Sequence, residues 1–481
     1  MKIGNGTKMD HDNKKTARAA VVNTIANIIA LAIGLIMVPI ISRVIPADDL
    51  GVASIFVSTR NCLTIIGFLA VYDYLYKAML EYPRNKKEYI LSILVFITLM
   101  TIGLFIMVLP FREYVKSLFS MDDFLFYWLF VSAFVYAVGQ IGHHYCVFHN
   151  RYILILLIVL ATGPVSQILG VILAAAMPMH KYIGRVIGLD FYSAAITISL
   201  LLWLMFSIVK ERHIKPDIKY VKNTLFFSIP IVPHLLSQML LTQSDLIMIG
   251  KLADSEKSGI YSMAHTVGNL AYTVLLQVIT VWSPWVYRRL EEKEEDQVFR
   301  NSKFMICIGS YLSIGLLTVS TEVIKLFLTE TYLPCIYIVP PLVCSMFFQF
   351  AYIFTYDLNY YNKRPAYIAI PSIVAAIANI VLNLALIPEF GFMVACYTTL
   401  VSYAILFGLS FLFSIRLGVM RIYNVRYLIG AVFVVLLYAV VMMTLAEFII
   451  IRYLLLLVIT VILLATQYNK VIGMMRMVRK K

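Results

Sequence analysis

Residues 41–54 read Ile41-Ser-Arg-Val-Ile-Pro-Ala-Asp-Asp-Leu-Gly-Val-Ala-Ser54, and residues 249–262 read Ile249-Gly-Lys-Leu-Ala-Asp-Ser-Glu-Lys-Ser-Gly-Ile-Tyr-Ser262. Each holds an Ile, a basic residue two later, a Gly eight beyond that, a branched residue next and a Ser two further on. Arg43 and Gly51 thus match Lys251 and Gly259 at an offset of 208. Both stretches are short polar turns between long apolar runs, placed at the same point of two successive sets of runs. A chain built twice from six-run copies has halves of the same topology, related by an axis along the membrane normal.

The runs lie at about 19–42, 50–79, 88–110, 122–148, 152–177, 182–209, 225–250, 258–288, 303–327, 333–360, 365–388, 392–415, 425–448 and 450–468. A helix needs ~20 residues to cross a bilayer core, and each run is about that long or longer. Backbone polar groups find no partner in lipid, so such runs are helices. The fold class expected is an all-α polytopic membrane protein of about fourteen spans. Two six-helix bundles take up residues 19–209 and 225–415, joined by a basic linker at 210–224. Two further helices follow at 416–468, and residues 1–18 and 469–481 are tails.

Lys and Arg alternate between the gaps. Thirty fall on the set that includes both tails, and nine on the other set: Arg43, Arg112, Lys116, Lys181, Arg185, Lys251, Lys257, Lys325 and Arg452. Over short loops the basic side is cytoplasmic, so both termini are expected inside. The first run is too long for a signal-peptide core and is expected to stay as an anchor.

Composition agrees, with 61% apolar and 14% charged residues. The net charge of +14 reads as orientation plus attraction to anionic membrane lipids; no loop has room for a nucleic-acid-binding domain. The six cysteines, Cys62, Cys146, Cys307, Cys335, Cys344 and Cys396, are scattered without ligand spacing, so no metal is expected. His143 and His144 are adjacent, their side chains about 100° apart on a helix, which places them at an interface rather than on a metal. No Walker A, His-Glu-x-x-His or Gly-x-Ser-x-Gly motif occurs, and every external gap is short. The chemistry expected is transport, without cofactor, rather than catalysis.

The segment Gln243-Ser-Asp245-Leu-Ile-Met-Ile-Gly250-Lys251, followed by Ser258-Gly-Ile-Tyr261-Ser-Met-Ala264, resembles the start of the C-terminal half of Wzx-type polysaccharide flippases. The opening, with Asn23, Asn27, Val38-Pro-Ile-Ile-Ser-Arg43 and Gly51, is similar to theirs as well. These proteins belong to the multidrug/oligosaccharidyl-lipid/polysaccharide exporter superfamily. The resemblance covers the chain in length and topology through short, degenerate motifs. It implies two bundles facing a central cavity, and export of an undecaprenyl-diphosphate-linked oligosaccharide across the bacterial inner or plasma membrane by alternating access. It also implies coupling to H+ or Na+, and a polysaccharide polymerase and chain-length proteins as partners. The alternative is an ion-coupled multidrug or metabolite exporter of the same superfamily; a membrane transferase ranks third.

A sugar diphosphate cannot cross hydrocarbon bare, because burying unpaired charge costs many kcal/mol. Arg60, about ten residues into the second run and roughly 15 Å along it, is the leading contact for such a headgroup. A structural ion pair is the competing reading. Arg185 and Asp190 line an outer mouth or are interface residues. Asp73 is a gating group or an i,i+4 partner of Lys77. Asp245 is a coupling-ion site or a partner of Lys251, and His265 either titrates or is a buried, hydrogen-bonded histidine. Glu322 is expected to pair with Lys325, and Asp357 to lie at an interface. Prolines mark bends: Pro39, Pro230 and Pro233 sit in the repeat-equivalent first and seventh runs as hinges, and Pro164, Pro340, Pro341 and Pro371 lie in other runs. Trp282 and Trp285 read as interfacial anchors. The basic loop at 210–222 is expected to concentrate an anionic lipid-linked substrate, within a Debye length of ~8 Å.

Overall fold

The computed structural model describes residues 29, 32–148, 161–211 and 214–479. The tail at 1–18, most of the first run including Asn23 and Asn27, the start of the fifth run, Arg151 and Arg212 lie outside them. Every regular element among the described residues is a helix. Ten are long and apolar enough to cross a membrane: α2 (Ala47–Phe68), α4 (Lys86–Val108, continued by α5, Arg112–Phe119), α6 (Asp123–Phe148), α8 (Lys181–Lys210), α12 (Leu270–Glu291), α13 (Glu295–Phe327), α14 (Cys335–Tyr361), α15 (Ala366–Phe390), α16 (Ala395–Arg416) and α17 (Val425–Thr444). The other four expected runs hold the shorter apolar stretches Ala32–Val44 (α1), Gly163–Ala176 (containing α7, Ser166–Ala176) and Ile449–Ala465 (the start of α18, Ile449–Arg479), and the bent pair α9 (Ile218–Ser228) and α10 (Val232–Leu252). The chain is a multi-pass membrane protein.

Three runs differ from straight spans. The second ends early: Leu69 and Ala70 take left-handed φ of 53° and 52°, which costs non-glycine residues about 1–2 kcal/mol each. The chain turns there before the short α3 (Leu75–Glu81). The seventh is broken at 229–231, where Pro230 has no amide hydrogen to give, and α9 and α10 meet at 60°. The eighth divides at Asn269 into α11 (Ser255–Gly268) and α12. Around Pro164 the backbone widens into a π-helical segment, Ala161–Val165, whereas α1 and α14 run through Pro39, Pro340 and Pro341 as helix.

Contacts divide the chain into two compact units, the first ending at Gly259 and the second beginning at Ile260, within α11. In the first, the paired stretches at 41–54 and 249–262 meet. A Cβ on Gly51 would strike the carbonyl oxygen of Ser255 and the amide of Gly259; a Cβ on Gly259 would strike the carbonyl of Ala47 and the amide of Gly51. Ala47 and Ser255 are themselves 208 apart. The contact is therefore reciprocal: equivalent residues of the two copies face each other about a local two-fold, and only glycine permits that separation. Nearby, Lys181 donates to the Val44 carbonyl (2.8 Å) and Lys251 to the Ser117 carbonyl (3.0 Å).

The second unit corrects one expectation. Glu322 does not pair with Lys325. It is bound by Arg452, which is 1% exposed and also donates to the Thr318 carbonyl at 2.9 Å. Lys325 instead holds Glu447 at 2.9 Å. Both bonds tie the α17–α18 turn to the end of α13, supported by Tyr438 and Thr318 (2.7 Å) and by Tyr311 and Thr460 (3.1 Å). Asp357, one turn from the end of α14, is buried within the protein, accepting from Ser283 (2.9 Å) and Tyr287 (2.8 Å). Intervals of three or four residues promote pairing along one helix, but a deeply buried arginine has the stronger claim on a carboxylate.

Because backbone meets backbone at the glycine contact, Gly51→Ala and Gly259→Ala should each destabilise at the upper end of the overpacking range, about 3 kcal/mol. Gly103→Ala, whose Cβ would meet nothing within 4 Å, should change stability by less than about 1 kcal/mol. Thermal unfolding in detergent separates these outcomes; equal melting of all three variants would remove the close approach.

Candidate functional site

The helix that carries Arg60 starts where Pro46 precedes Ala47 and where Asp48 and Asp49 in the first turn complement the dipole. Thirteen residues on, roughly 20 Å along the axis, Arg60 stands in an otherwise apolar and hydroxylic stretch. Its Nη1 donates to Asp190 Oδ1 of α8 at 2.5 Å, with side-chain exposures of 9% and 3%. Trp128 of α6 donates its indole Nε1–H to the other oxygen, Oδ2, at 2.9 Å. The remaining guanidinium donors, Nε and Nη2, reach Asn61 Oδ1 at 3.3 and 3.1 Å, and the ring of Tyr136 lies 4.6 Å from Cζ. Asn61 in turn donates to Gln243 Oε1 of α10 at 3.0 Å.

One guanidinium and one carboxylate thus join α2, α6 and α8, and Asn61, which the guanidinium binds, ties in α10. Arg60 and Asp190 are buried, while Asn61, Trp128, Tyr136 and Gln243 are only partly buried, so the charged pair has a rim of amides and aromatic rings. A buried pair with both partners hydrogen-bonded avoids the cost that either charge alone would carry. A ring face over a guanidinium adds attraction without consuming a donor.

The other residues singled out from the sequence lie elsewhere. Arg185, also on α8, is buried and, among the described residues, bonds to Gln167 through the backbone carbonyl (3.3 Å) and the side-chain Oε1. It therefore joins α8 to α7 and does not share a hydrogen bond with Arg60 or Asp190. Asp73 lies in the turn after α2; among the described residues Lys77 pairs with Glu81 (3.6 Å) rather than with Asp73. Beside that turn, His144 Nδ1 meets the Tyr72 carbonyl at 3.0 Å. Asp245 is buried on α10, two residues beyond Gln243. His265 belongs to the second unit, on α11. Of the prolines, Pro230 lies in the 60° break and Pro233 in the first turn of α10; Pro39 lies inside α1, its carbonyl accepting from Ser42 at 3.0 Å.

Sequence reasoning found the charges and missed their surroundings. Trp128 and Tyr136 are two of many aromatic residues in apolar runs. Asn61 and Gln243 carried a usable signal, as primary amides inside spans, and Gln243 opens the very segment that bears the family resemblance. The second unit has a cavity of about 510 Å³ between α13, α17 and α18, lined by Ile314, Val434, Ile459 and Leu463, with Ser310, Tyr311, Tyr427 and Arg426 among its polar members.

Residues 16–289, more than half of the chain, match the family described as polysaccharide biosynthesis protein. No curated protein matches the sequence. Among solved structures, the chain is similar to lipid II flippase MurJ in an inward closed conformation, with a TM-score of 0.71 and 15% identity over 94% of this chain and 100% of that one. An inward-facing multidrug-resistance transporter of the MATE family, in the MOP superfamily, gives a TM-score of 0.63 and 12% identity over 84% of this chain and 98% of that one. At these identities the similarity is one of fold, and the fold is that of MurJ and MATE transporters.

If the Arg60–Asp190 pair holds the four helices, removing one partner should cost more than removing both. Arg60→Met and Asp190→Leu should each destabilise by about 3–5 kcal/mol, because each leaves a buried charge alone. The double variant should be less destabilised than the sum, with a coupling of at least about 1 kcal/mol. Additive losses in detergent melts would mean that the two side chains do not act as a pair.

Proposed function

Since the chain belongs to the family of polysaccharide biosynthesis proteins, we propose that it is a flippase. Its substrate is an undecaprenyl-diphosphate-linked oligosaccharide, moved from the cytoplasmic to the outer leaflet of the inner or plasma membrane for surface polysaccharide synthesis. The observation that carries this reading is the guanidinium buried within an apolar helix and paired to one carboxylate inside a transporter fold. A diphosphate brings more negative charge than Asp190 and more acceptor oxygens, so it competes for the same donors. When it does, Asp190 keeps its hydrogen bond from Trp128, and Tyr136 remains over the guanidinium. The partly buried amides of Asn61 and Gln243 then meet sugar hydroxyls, while the lipid tail stays in hydrocarbon. The ion pair acts as a placeholder that spares each charge the cost of standing alone between cycles.

The direction of movement follows from charge. The cytoplasmic side assigned by the basic loops is where a diphosphate lipid is attracted, and alternating access carries it to the other face. Coupling to H+ or Na+ is assigned to Asp245, buried two residues from Gln243 on α10. The bend at Pro230 serves as the hinge.

The test is an inventory of lipid-linked sugars by mass spectrometry in cells depleted of the protein. An undecaprenyl-linked oligosaccharide should accumulate and be cleared by wild type, whereas Arg60→Ala should leave accumulation at least about tenfold above wild type, the loss expected when a charged contact is removed. An unchanged lipid pool, with altered sensitivity to cationic compounds, would place the protein with the drug exporters instead.

A further inference from the structure

The helix α9 presents two unlike faces. Its inner face is fixed to the first unit by polar and aromatic contacts. The amide of Asp217 donates to Ser92 Oγ at 2.8 Å, Thr224 Oγ1 meets the Tyr89 hydroxyl at 3.1 Å, and Asn223 donates to the Tyr82 hydroxyl at 2.6 Å. Tyr220 sits edge-on to Tyr82 and Tyr89, with ring centroids at 4.9 and 5.9 Å. Tyr220, Val221, Thr224 and Ser228 are buried by these contacts.

The outer face carries Lys219, Lys222 and Phe226, spaced i, i+3 and i+7 on one side of the helix. All three are exposed, Phe226 at 80%, and Ile218 beside them is exposed at 65%. Lys215, in the approach to the helix, is exposed as well. Among the described residues none of the three lysines makes an ion pair, although Lys77 and Lys87 nearby are paired to Glu81 and Glu211. The axis matters too: for α10 along the membrane normal, a helix turned 60° from it lies nearer the bilayer plane than the normal.

A phenyl ring one turn beyond unpaired lysines, on a helix turned 60° from α10, matches neither water nor hydrocarbon. It matches the headgroup layer, where the ring enters the acyl boundary and the ammonium groups rise along their methylene stems to phosphate. We propose that the outer face of α9 is a binding surface for anionic glycerophospholipid of the surrounding leaflet, with Lys215, Lys219 and Lys222 taking the phosphate charge and Phe226 fixing the depth. The site stands apart from the transport reading, since it needs only a bilayer. One lysine near an anionic surface is worth about fivefold in local preference, so three give the face a strong selection for anionic over zwitterionic lipid.

The experiment places the full chain in nanodiscs and compares Phe226→Trp with its parent, using lipids brominated on the acyl chain as contact quenchers. The extra fluorescence of the variant should be quenched at least about fivefold more effectively by brominated phosphatidylglycerol than by brominated phosphatidylcholine at equal mole fraction. That preference should fall as salt rises to 1 M, where the Debye length is ~3 Å. It should vanish in Lys215→Gln/Lys219→Gln/Lys222→Gln and persist in the corresponding triple Arg variant, which keeps the charge and reports that α9 is still folded. Equal quenching by both lipids would overturn the selection, and no quenching by either would take α9 out of the headgroup layer altogether.

Discussion

A charge inside a membrane protein has to be answered by another group, and much of this architecture follows from how its buried arginines are answered. Arg60 is met by Asp190, Arg452 by Glu322, and Arg185 by the amide and carbonyl of Gln167. Each answer comes from a different helix, so each arginine fixes a helix contact that apolar packing alone would leave free to slide. Arg452 shows this most simply: its bonds to Glu322 and the Thr318 carbonyl set the register of the last helices on α13. Lys325 and Glu447 then close the same turn at the surface.

The Arg60–Asp190 pair differs from Arg452–Glu322 in its surroundings. The Arg452 guanidinium is enclosed and also bound to the Thr318 carbonyl, with Glu322 17% exposed, whereas the Arg60 pair, 9% and 3% exposed, is edged by partly buried amides and rings. The first arrangement suits a permanent joint. The second suits an exchangeable one, because a carboxylate held by an indole N–H can release a guanidinium without being left bare. On the function proposed above, the feature that stabilises the resting helices is also the one that receives an anionic headgroup.

The outer turns add a steric constraint to these electrostatic ones. Gly51 and Gly259 meet through backbone atoms in a reciprocal contact, so a duplicated sequence motif becomes a physical two-fold in the folded chain. Further along α2, the Asn61–Gln243 amide bond ties the same helix to α10. Close approach to α11 at one end of α2 and a polar tie to α10 further along leave little freedom in how α2 aligns with either.

The sequence by itself determined the helical class, the run of apolar segments and their charge asymmetry, because each rests on period, length or composition. It also pointed to Arg60, Asp190 and Arg185, since ionisable residues inside apolar runs are conspicuous. Tertiary structure decided the partners. Arg60 and Asp190 are 130 residues apart, and Glu322 and Arg452 likewise, so no local rule could choose Asp190 for Arg60 or prefer Arg452 over the neighbouring Lys325. It also turned single runs into broken ones at Leu69–Ala70 and Pro230. Hydropathy records whether a segment belongs in lipid; the direction in which its polar side chains meet is set only when several helices pack together.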